Sequence, residues 1–301
     1  MAVDRRLAAI DLHDKLELEN AFARRLVSLN GQIVTRYGRA LGTTGEVIDM
    51  VNQFGDQLAT LLLTHYGRVA GAFSRRCNRL LPGEIQLTQD EEAKLDAAVD
   101  SVALARARPT AELILSTTQQ HANQALLMAQ QDAVERAGEG QPMSSREIAL
   151  VAAAILRRKL AGRVSGIAIT ETQAIAEMAK LVELQVLLGQ ELFVELETRA
   201  HQSTAVKEWV SQGDSVVRPT HINADSVQVP VESPFVIGGQ LLMHPGDRSL
   251  GAGPEETANC RCSSVPDLAS VASARQDIVG TDNTRFPLIS LVDDAISALL
   301  Q

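Results

Sequence analysis

The 301-residue sequence has little of several things that would mark a function at once. Aromatic residues make up 3%: six Phe, two Tyr and one Trp. A base-stacking platform for single-stranded nucleic acid needs more than that. Positive charge is in deficit, with 28 Lys/Arg against 37 Asp/Glu, a net charge of −9 and a pI near 5.2. This argues against a general DNA-coating protein, which carries a basic footprint. The three cysteines, Cys77, Cys260 and Cys262, are too few for a disulfide scaffold in a chain this long. No apolar run approaches the ~20 residues that span a bilayer. The longest, Ile148 to Leu156, fits a buried helix segment, and no membrane partner is expected. Asp4, Arg5, Arg6 and Asp11 come too early for a signal-peptide core, so a cytoplasmic start is expected. The nucleophile elbow G-x-S-x-G, H-E-x-x-H, the P-loop and a G-x-G-x-x-G after a strand are all missing.

What is present is a foldable chain. Apolar residues make up 45% and charged residues 22%, and the length suggests about two domains. Charge is uneven. Residues 1–80 hold 11 Lys/Arg and 8 Asp/Glu, a net of +3, whereas residues 81–301 hold 17 and 29, a net of −12. Arg24, Arg25, Arg36, Arg39, Arg75, Arg76 and Arg79 are scattered among apolar residues. They read as solvated helix faces, or as a surface that meets DNA or an acidic partner.

Most of residues 1–200 reads as helix, because Ala, Leu, Gln, Glu and Arg dominate. Capping boxes are expected where Thr43 precedes Glu46, Thr88 precedes Glu91, Ser144 precedes Glu147 and Thr170 precedes Gln173. Breaks are expected at Gly42–Gly45, at Pro82-Gly83, around Pro109 and at Gly138–Pro142. Helices are therefore placed near 3–30, 45–80, 88–106, 110–137, 144–162 and 170–200. In the last, Ile175, Met178, Val182, Leu188 and Leu192 lie close to one stripe.

The texture changes after residue 200 to Gly, Pro, Val, Ser and Asp. Strands are expected at Ala205–Ser211 and Val227–Val231, the latter limited to an edge by Pro230 and Pro234. Phe235-Val236-Ile237 and Gln240 to Met243 flank Gly238-Gly239, a hairpin signal because both glycines accept positive φ. The expected class is mainly α with a small C-terminal α+β domain and a long helical N-terminal region. The expected division is a helical region at 1–166, a connecting helix at 167–200, the small domain at 201–268 and a tail at 269–301. Within the tail, Leu288 to Leu300, with Asp293 and Asp294, is a candidate docking helix.

Special residues are densest between 207 and 262. Cys260 and Cys262, with His221 and His244 upstream, leave three readings open: a structural zinc site, a pair of reduced thiols, or a strained disulfide. Asp214, His221, Asp247 and nearby serines allow a hydrolytic triad to be drawn. They also allow turn and ion-pair contacts that fix loops.

The ordered set runs from Trp209 and Asp214 through Arg218-Pro219-Thr220-His221. It continues with Pro234-Phe235, Gly238-Gly239 and Pro245-Gly246-Asp247, and closes on Asn259-Cys260-Arg261-Cys262. Preceded by Ile167-Ala168-Ile169-Thr170-Glu171-Thr172, it resembles the phage Mu F-like family of minor head, or head morphogenesis, proteins of tailed bacteriophages. The resemblance covers residues 167–265. Ile169 stands where that family usually has Arg, and the usual Asp-Gly or Asn-Gly after the His is missing. Some members carry C-x-x-C at Arg218 to His221, which puts His221 in the place of the second Cys and favours a site shared with Cys260 and Cys262.

The resemblance implies a structural role without an active site. Members are made in the host cytoplasm, join the procapsid in few copies and associate with the portal vertex. Some are linked to DNA packaging or ejection. Expected partners are therefore the portal and other capsid proteins, in an oligomeric particle. Trp209 is expected as a core anchor, Asp214 and Arg218 as a loop-fixing pair, and Pro245-Gly246-Asp247 as a turn. His221, Cys260 and Cys262 are expected as the closing cluster, without cofactor or with a structural zinc. Two rival expectations are a DNA-contacting internal virion protein and a small hydrolase or toxin-like domain on a helical arm.

Overall fold

The computed structural model describes residues 3–190 and 204–280. Leu192 and the segment Leu288–Leu300 lie outside the described residues. The chain is mainly helical with a small strand-bearing region, as expected. The long helices are α1 (Arg6–Thr44), α2 (Met50–Phe73), α4 (Gln89–Gly138) and α5 (Ser145–Leu187), with the short α3 (Arg76–Leu80) between α2 and α4. Then follow β1 (Val206–Val210), α6 (Pro219–Asn223), β2 (Gln228–Pro230), β3 (Phe235–Ile237) and β4 (Gln240–Leu242). The series ends with α7 (Pro254–Thr257), β5 (Ser263–Pro266) and α8 (Leu268–Val279).

Two compact units result. One comprises residues 20–66 and 103–168; the other comprises 1–19, 67–102 and 169–301. The cuts fall inside α1, α2, α4 and α5. The reason is that the start of α1, the short α3 and the last turns of α5 find their partners among the strands and loops.

Two expected helix starts form as capping boxes. Thr88 N and Oγ1 both donate to Glu91 Oε2 while Glu91 N donates back to Thr88 Oγ1, and Ser144 and Glu147 do the same. The other two do not form. Thr43 lies in the last turn of α1, where its hydroxyl donates to the Arg39 and Ala40 carbonyls, and the helix stops at Gly45 with φ +75°. Thr170 sits inside the unbroken α5, and its hydroxyl serves a distant loop instead. The expected break at Pro109 is also corrected, because α4 runs through it. A proline inside a helix costs about 3 kcal/mol. Here its ring lies on the exposed face. On the opposite face Ala103, Ala107, Ala111, Leu115, Ala122, Ala125 and Ala129 are all buried on both sides of it, which offsets that cost.

In the second unit β1 is the middle strand of an antiparallel sheet ordered β2-β1-β5, with Lys207 opposite Val229 and Trp209 opposite Ser264. β2 is an edge, as Pro230 requires. Side chains alternate across a strand, so β1 feeds two cores. Trp209 joins Phe235, Ile237, Leu242, Cys260 and Cys262; Val210 joins Val3, Ala8 and Val265. The hairpin β3–β4 turns on Gly238 and Gly239, at φ +57° and +81°.

Candidate functional site

Trp209 is the anchor expected of it, fully buried and edge-on to both His221 (5.3 Å, 89°) and Phe235 (5.3 Å, 74°). Such aromatic pairs add about 0.5–1.5 kcal/mol each beyond burial. On the same strand face, Lys207 donates to the Met243 carbonyl (2.7 Å) and lies over the Phe235 ring.

Asp214 and Arg218 do not pair with each other. Asp214 caps its own turn by accepting from Val216 N (3.0 Å), whereas the Arg218 guanidinium reaches the Ala258 carbonyl. Each fixes a loop, but separate ones. Pro245-Gly246-Asp247 is the expected turn, with Asp247 N donating to His244 O (3.1 Å). Gly246 has φ +81°, which favours glycine, and a Cβ there would crowd Gln173 Cγ of α5 at 3.2 Å. Asp247 accepts from Met243 N and Ser249 N (both 2.8 Å). Burial opposes its ionisation, yet the neighbouring His244 and these N–H groups outweigh burial and lower its pKa. Asn259, with φ +54°, donates its N–H to Thr170 Oγ1 of α5 (3.0 Å). Asn is among the few non-glycine residues that tolerate this backbone region.

The structure brings His221, Cys260 and Cys262 together, all buried, with their ligand atoms within 4.8 Å of one another. α6 presents His221, with Pro219 at its first turn, and the turn before β5 presents both thiols. The His221 Nδ1 to Sγ distances are 3.6 Å for Cys260 and 3.4 Å for Cys262. Zinc bonds of ~2.3 Å to sulfur and ~2.0–2.1 Å to nitrogen place tetrahedral S and N ligands about 3.6 Å apart. The two N–S separations match such an edge, and they are also those of a hydrogen bond between thiol and imidazole.

Glu256 completes the arrangement. Its Oε2 lies 3.0 Å from His221 Nε2 and accepts from Thr220 Oγ1 at 2.8 Å. A proton on Nε2 leaves the Nδ1 lone pair facing the sulfurs, which is how a carboxylate orients a metal-binding histidine. Gly238 makes room for this carboxylate, since a Cβ there would meet Glu256 Oε1 at 2.2 Å. Trp209 Nε1 is buried with no nitrogen or oxygen acceptor among the described residues, and it lies near enough to Cys262 to favour that sulfur's charged form.

The two thiols differ in acidity. The hydrogen bond from Cys262, helped by His221 and opposed by burial, holds Cys260 well below the usual thiol range. The same bond and burial push Cys262 up. Burial works against a charged His221, but the bond to Cys260 and its negative charge raise the ring's pKa. The cysteines are not disulfide-bonded. His244 stands apart from this group: its Nδ1 lies 3.1 Å from the Pro245 carbonyl, and burial lowers its pKa. The drawn triad is not assembled either, because His221 faces Glu256 and the sulfurs, not Asp214 or Asp247.

Sequence reasoning missed the face of α5 that grips this domain. Gln173 Nε2 donates to the Cys262 carbonyl (2.6 Å), and Ser264 N donates to Glu177 Oε2 (2.8 Å). Fully buried Glu177 is ion-paired with Lys15 and Lys180, and Lys180 with Asp11. Burial opposes ionised Glu177, but the two ammonium groups outweigh it and bring its pKa to about 2. Polar residues spaced by four and three at Gln173, Glu177 and Lys180 on a predicted helix give no sign of burial unless a polar partner surface is known. Ile169, where the resemblance expects Arg, lines the cavity beside the sulfurs. Arg261 is not an ion-pair anchor of short range: its Nη2 stays 3.8 Å from Glu19 and its Nε is buried without an acceptor.

Among the described residues no helix is long and apolar enough to cross a membrane. Comparison with family models, with curated proteins and with solved structures gives no match for this chain.

Proposed function

We propose that this chain is a structural minor head protein of a tailed bacteriophage, of the Mu F-like kind, which associates with the portal vertex and supports head assembly, DNA packaging or ejection. One observation carries the reading. The residues of the resemblance, from Thr170 through Trp209, His221, Phe235 and Asp247 to Asn259–Cys262, converge on one domain, where each has a bonding or packing duty. In the same reading a structural zinc ion sits on His221, Cys260 and Cys262, tying α6 to the turn before β5. Its support is the tetrahedral edge lengths and the Glu256-oriented ring. The expected partners are the portal and other capsid proteins, in the head of the virion after assembly in the host cytoplasm.

The test is co-expression with the portal protein of the same genome, followed by size-exclusion chromatography with mass detection. Co-elution at a defined ratio is expected. Clean separation, with this chain alone as a monomer or small oligomer, would overturn the portal reading.

A second reading, contact with packaged DNA, is favoured by one feature of the unit at 20–66 and 103–168. That unit holds 12 Lys/Arg and 8 Asp/Glu, a net of +4, in a chain of net −9. A cleft of about 1100 Å³ between α1, α2 and α5 is lined by Arg36, Arg39 and Arg157 with no acidic residue. Salt-dependent DNA binding is the test. Replacing all three arginines with Ala should flatten the log–log salt slope by about 3 × 0.9 if they meet phosphates. An unchanged slope removes this reading.

A further inference from the structure

The metal group has three members among the described residues, whereas a closed structural zinc site has four. The place of the fourth is not filled by packing. A cavity of about 300 Å³ is lined by His221, Cys260 and Cys262 together with Ile169, Asp214 and Arg261. Arg261 lines the same cavity, and its Nε is buried with no acceptor among the described residues. Among the described residues its guanidinium has the distant Glu19, at 3.8 Å, as counter-charge. A zinc ion on two thiolates and one neutral imidazole carries no net charge, so it takes a monoanion without a large penalty. Arg261 supplies a donor of the geometry that carboxylates accept.

We infer that the metal bound by His221, Cys260 and Cys262 keeps one coordination position open to this cavity, and that the position takes an exchangeable carboxylate steadied by Arg261. The inference rests on the metal reading of the group. It turns a purely structural centre into a docking point, with one carboxylate oxygen on the metal and the other available to the arginine. The carboxylate comes from a small free acid or from an acidic side chain of a bound protein. Asp214 lines the same cavity but is exposed and committed to its own turn through Val216 N, so it does not close the site.

The experiment replaces the native metal with Co²⁺ in the full chain under anaerobic conditions and follows the visible spectrum. Thiolate-to-cobalt charge transfer and tetrahedral ligand-field bands are expected at one Co²⁺ per chain. Titration with acetate, and separately with a blocked glutamyl dipeptide, should shift the ligand-field bands saturably. Saturation by acetate at lower concentration assigns a free acid; saturation by the dipeptide alone assigns a protein side chain. Arg261→Gln should keep the starting spectrum and weaken carboxylate binding about tenfold or more. Asp214→Asn should change neither the starting spectrum nor the titration. Failure to bind Co²⁺ at all would sink the metal reading itself. A bound Co²⁺ whose spectrum neither carboxylate moves would leave that reading standing and overturn the open position. A starting spectrum altered by Asp214→Asn would overturn it too, by placing Asp214 on the metal.

Discussion

In the unit formed by residues 20–66 and 103–168, the buried face of α4 is mostly alanine, and the side-chain hydrogen bonds are few and simple. Tyr37 Oη donates to the Ala122 carbonyl (2.7 Å), and Met50 N donates to Gln119 Oε1 (2.8 Å). In the other unit charged groups are buried beside the apolar cores. Asp11, Lys15, Glu177 and Lys180 form one buried network. Buried Arg275 donates to the Ile85 and Leu187 carbonyls and to Glu91. Small side chains let helices approach closely and tolerate modest drift in register. A network of buried ions does not: each member is costly without its partner, so it fixes one arrangement of α1, α5 and β5. The difference teaches that the long helices supply bulk, whereas the polar face of α5 specifies where the small domain sits on its own helices.

The sharpest way to break this contrast is Glu177→Leu. It takes the carboxylate from buried Lys15 and one of the two carboxylates from Lys180, and should cost about 3–5 kcal/mol in urea unfolding. A loss under about 1 kcal/mol would mean the network specifies nothing. In the alanine-packed unit, Leu115→Ala should cost about 2–5 kcal/mol through the cavity it leaves, with no dependence on pH between 5 and 8. A pH-dependent loss there would blur the distinction between the units.

The charged unit should also respond to pH through Glu183, which is fully buried. Burial raises its pKa to about 7, against the opposing N–H groups of Asn78 and Cys77. A raised carboxyl pKa means the folded state holds its proton more tightly than the unfolded state. That contribution is complete below about pH 4.5 and is lost as pH rises through about 7. Stability measured by denaturant should therefore fall by on the order of 2–3 kcal/mol across that window. Glu183→Gln should flatten the fall; an equally steep curve in the variant would assign the pH dependence elsewhere. The smallest expected effects are alike in both units. Thr88→Ala and Ser144→Ala should each cost about 1 kcal/mol, because a capping box is local wherever it stands. A several-fold larger loss at Thr88 would show that its box also steadies the Glu91–Arg275 ion pair.

Much of the small domain was legible because its signals are local. Gly238-Gly239 between apolar runs, Pro230 on an edge, Trp209 as anchor and Pro245-Gly246-Asp247 as a turn all depend on backbone preferences that neighbours do not override. The meeting of His221 with Cys260 and Cys262 was legible from the resemblance, not from spacing. What the sequence did not show depends on partners far along the chain. Thr170 and Gln173 look like a helix start, because a hydroxyl followed by an amide three residues later is what a capping box requires. In the fold the same two side chains reach the Asn259 N–H and the Cys262 carbonyl. Pro109 reads as a stop, and only the buried stripe from Ala103 to Ala129 explains why α4 continues. Glu256 drew no attention, since its meaning lies in the ring of His221 and the bare backbone of Gly238.

In the proposed reading a metal completes the constellation from Trp209 to Cys262 as a structural closure. Elemental analysis of the full chain purified without chelator, paired with thermal unfolding before and after chelation, tests it most directly. The expected result is about one zinc per chain and a clear drop in Tm on chelation, because binding free energy at such a site is folding free energy. Less than about 0.2 metal per chain, with a Tm indifferent to chelator, would contradict it.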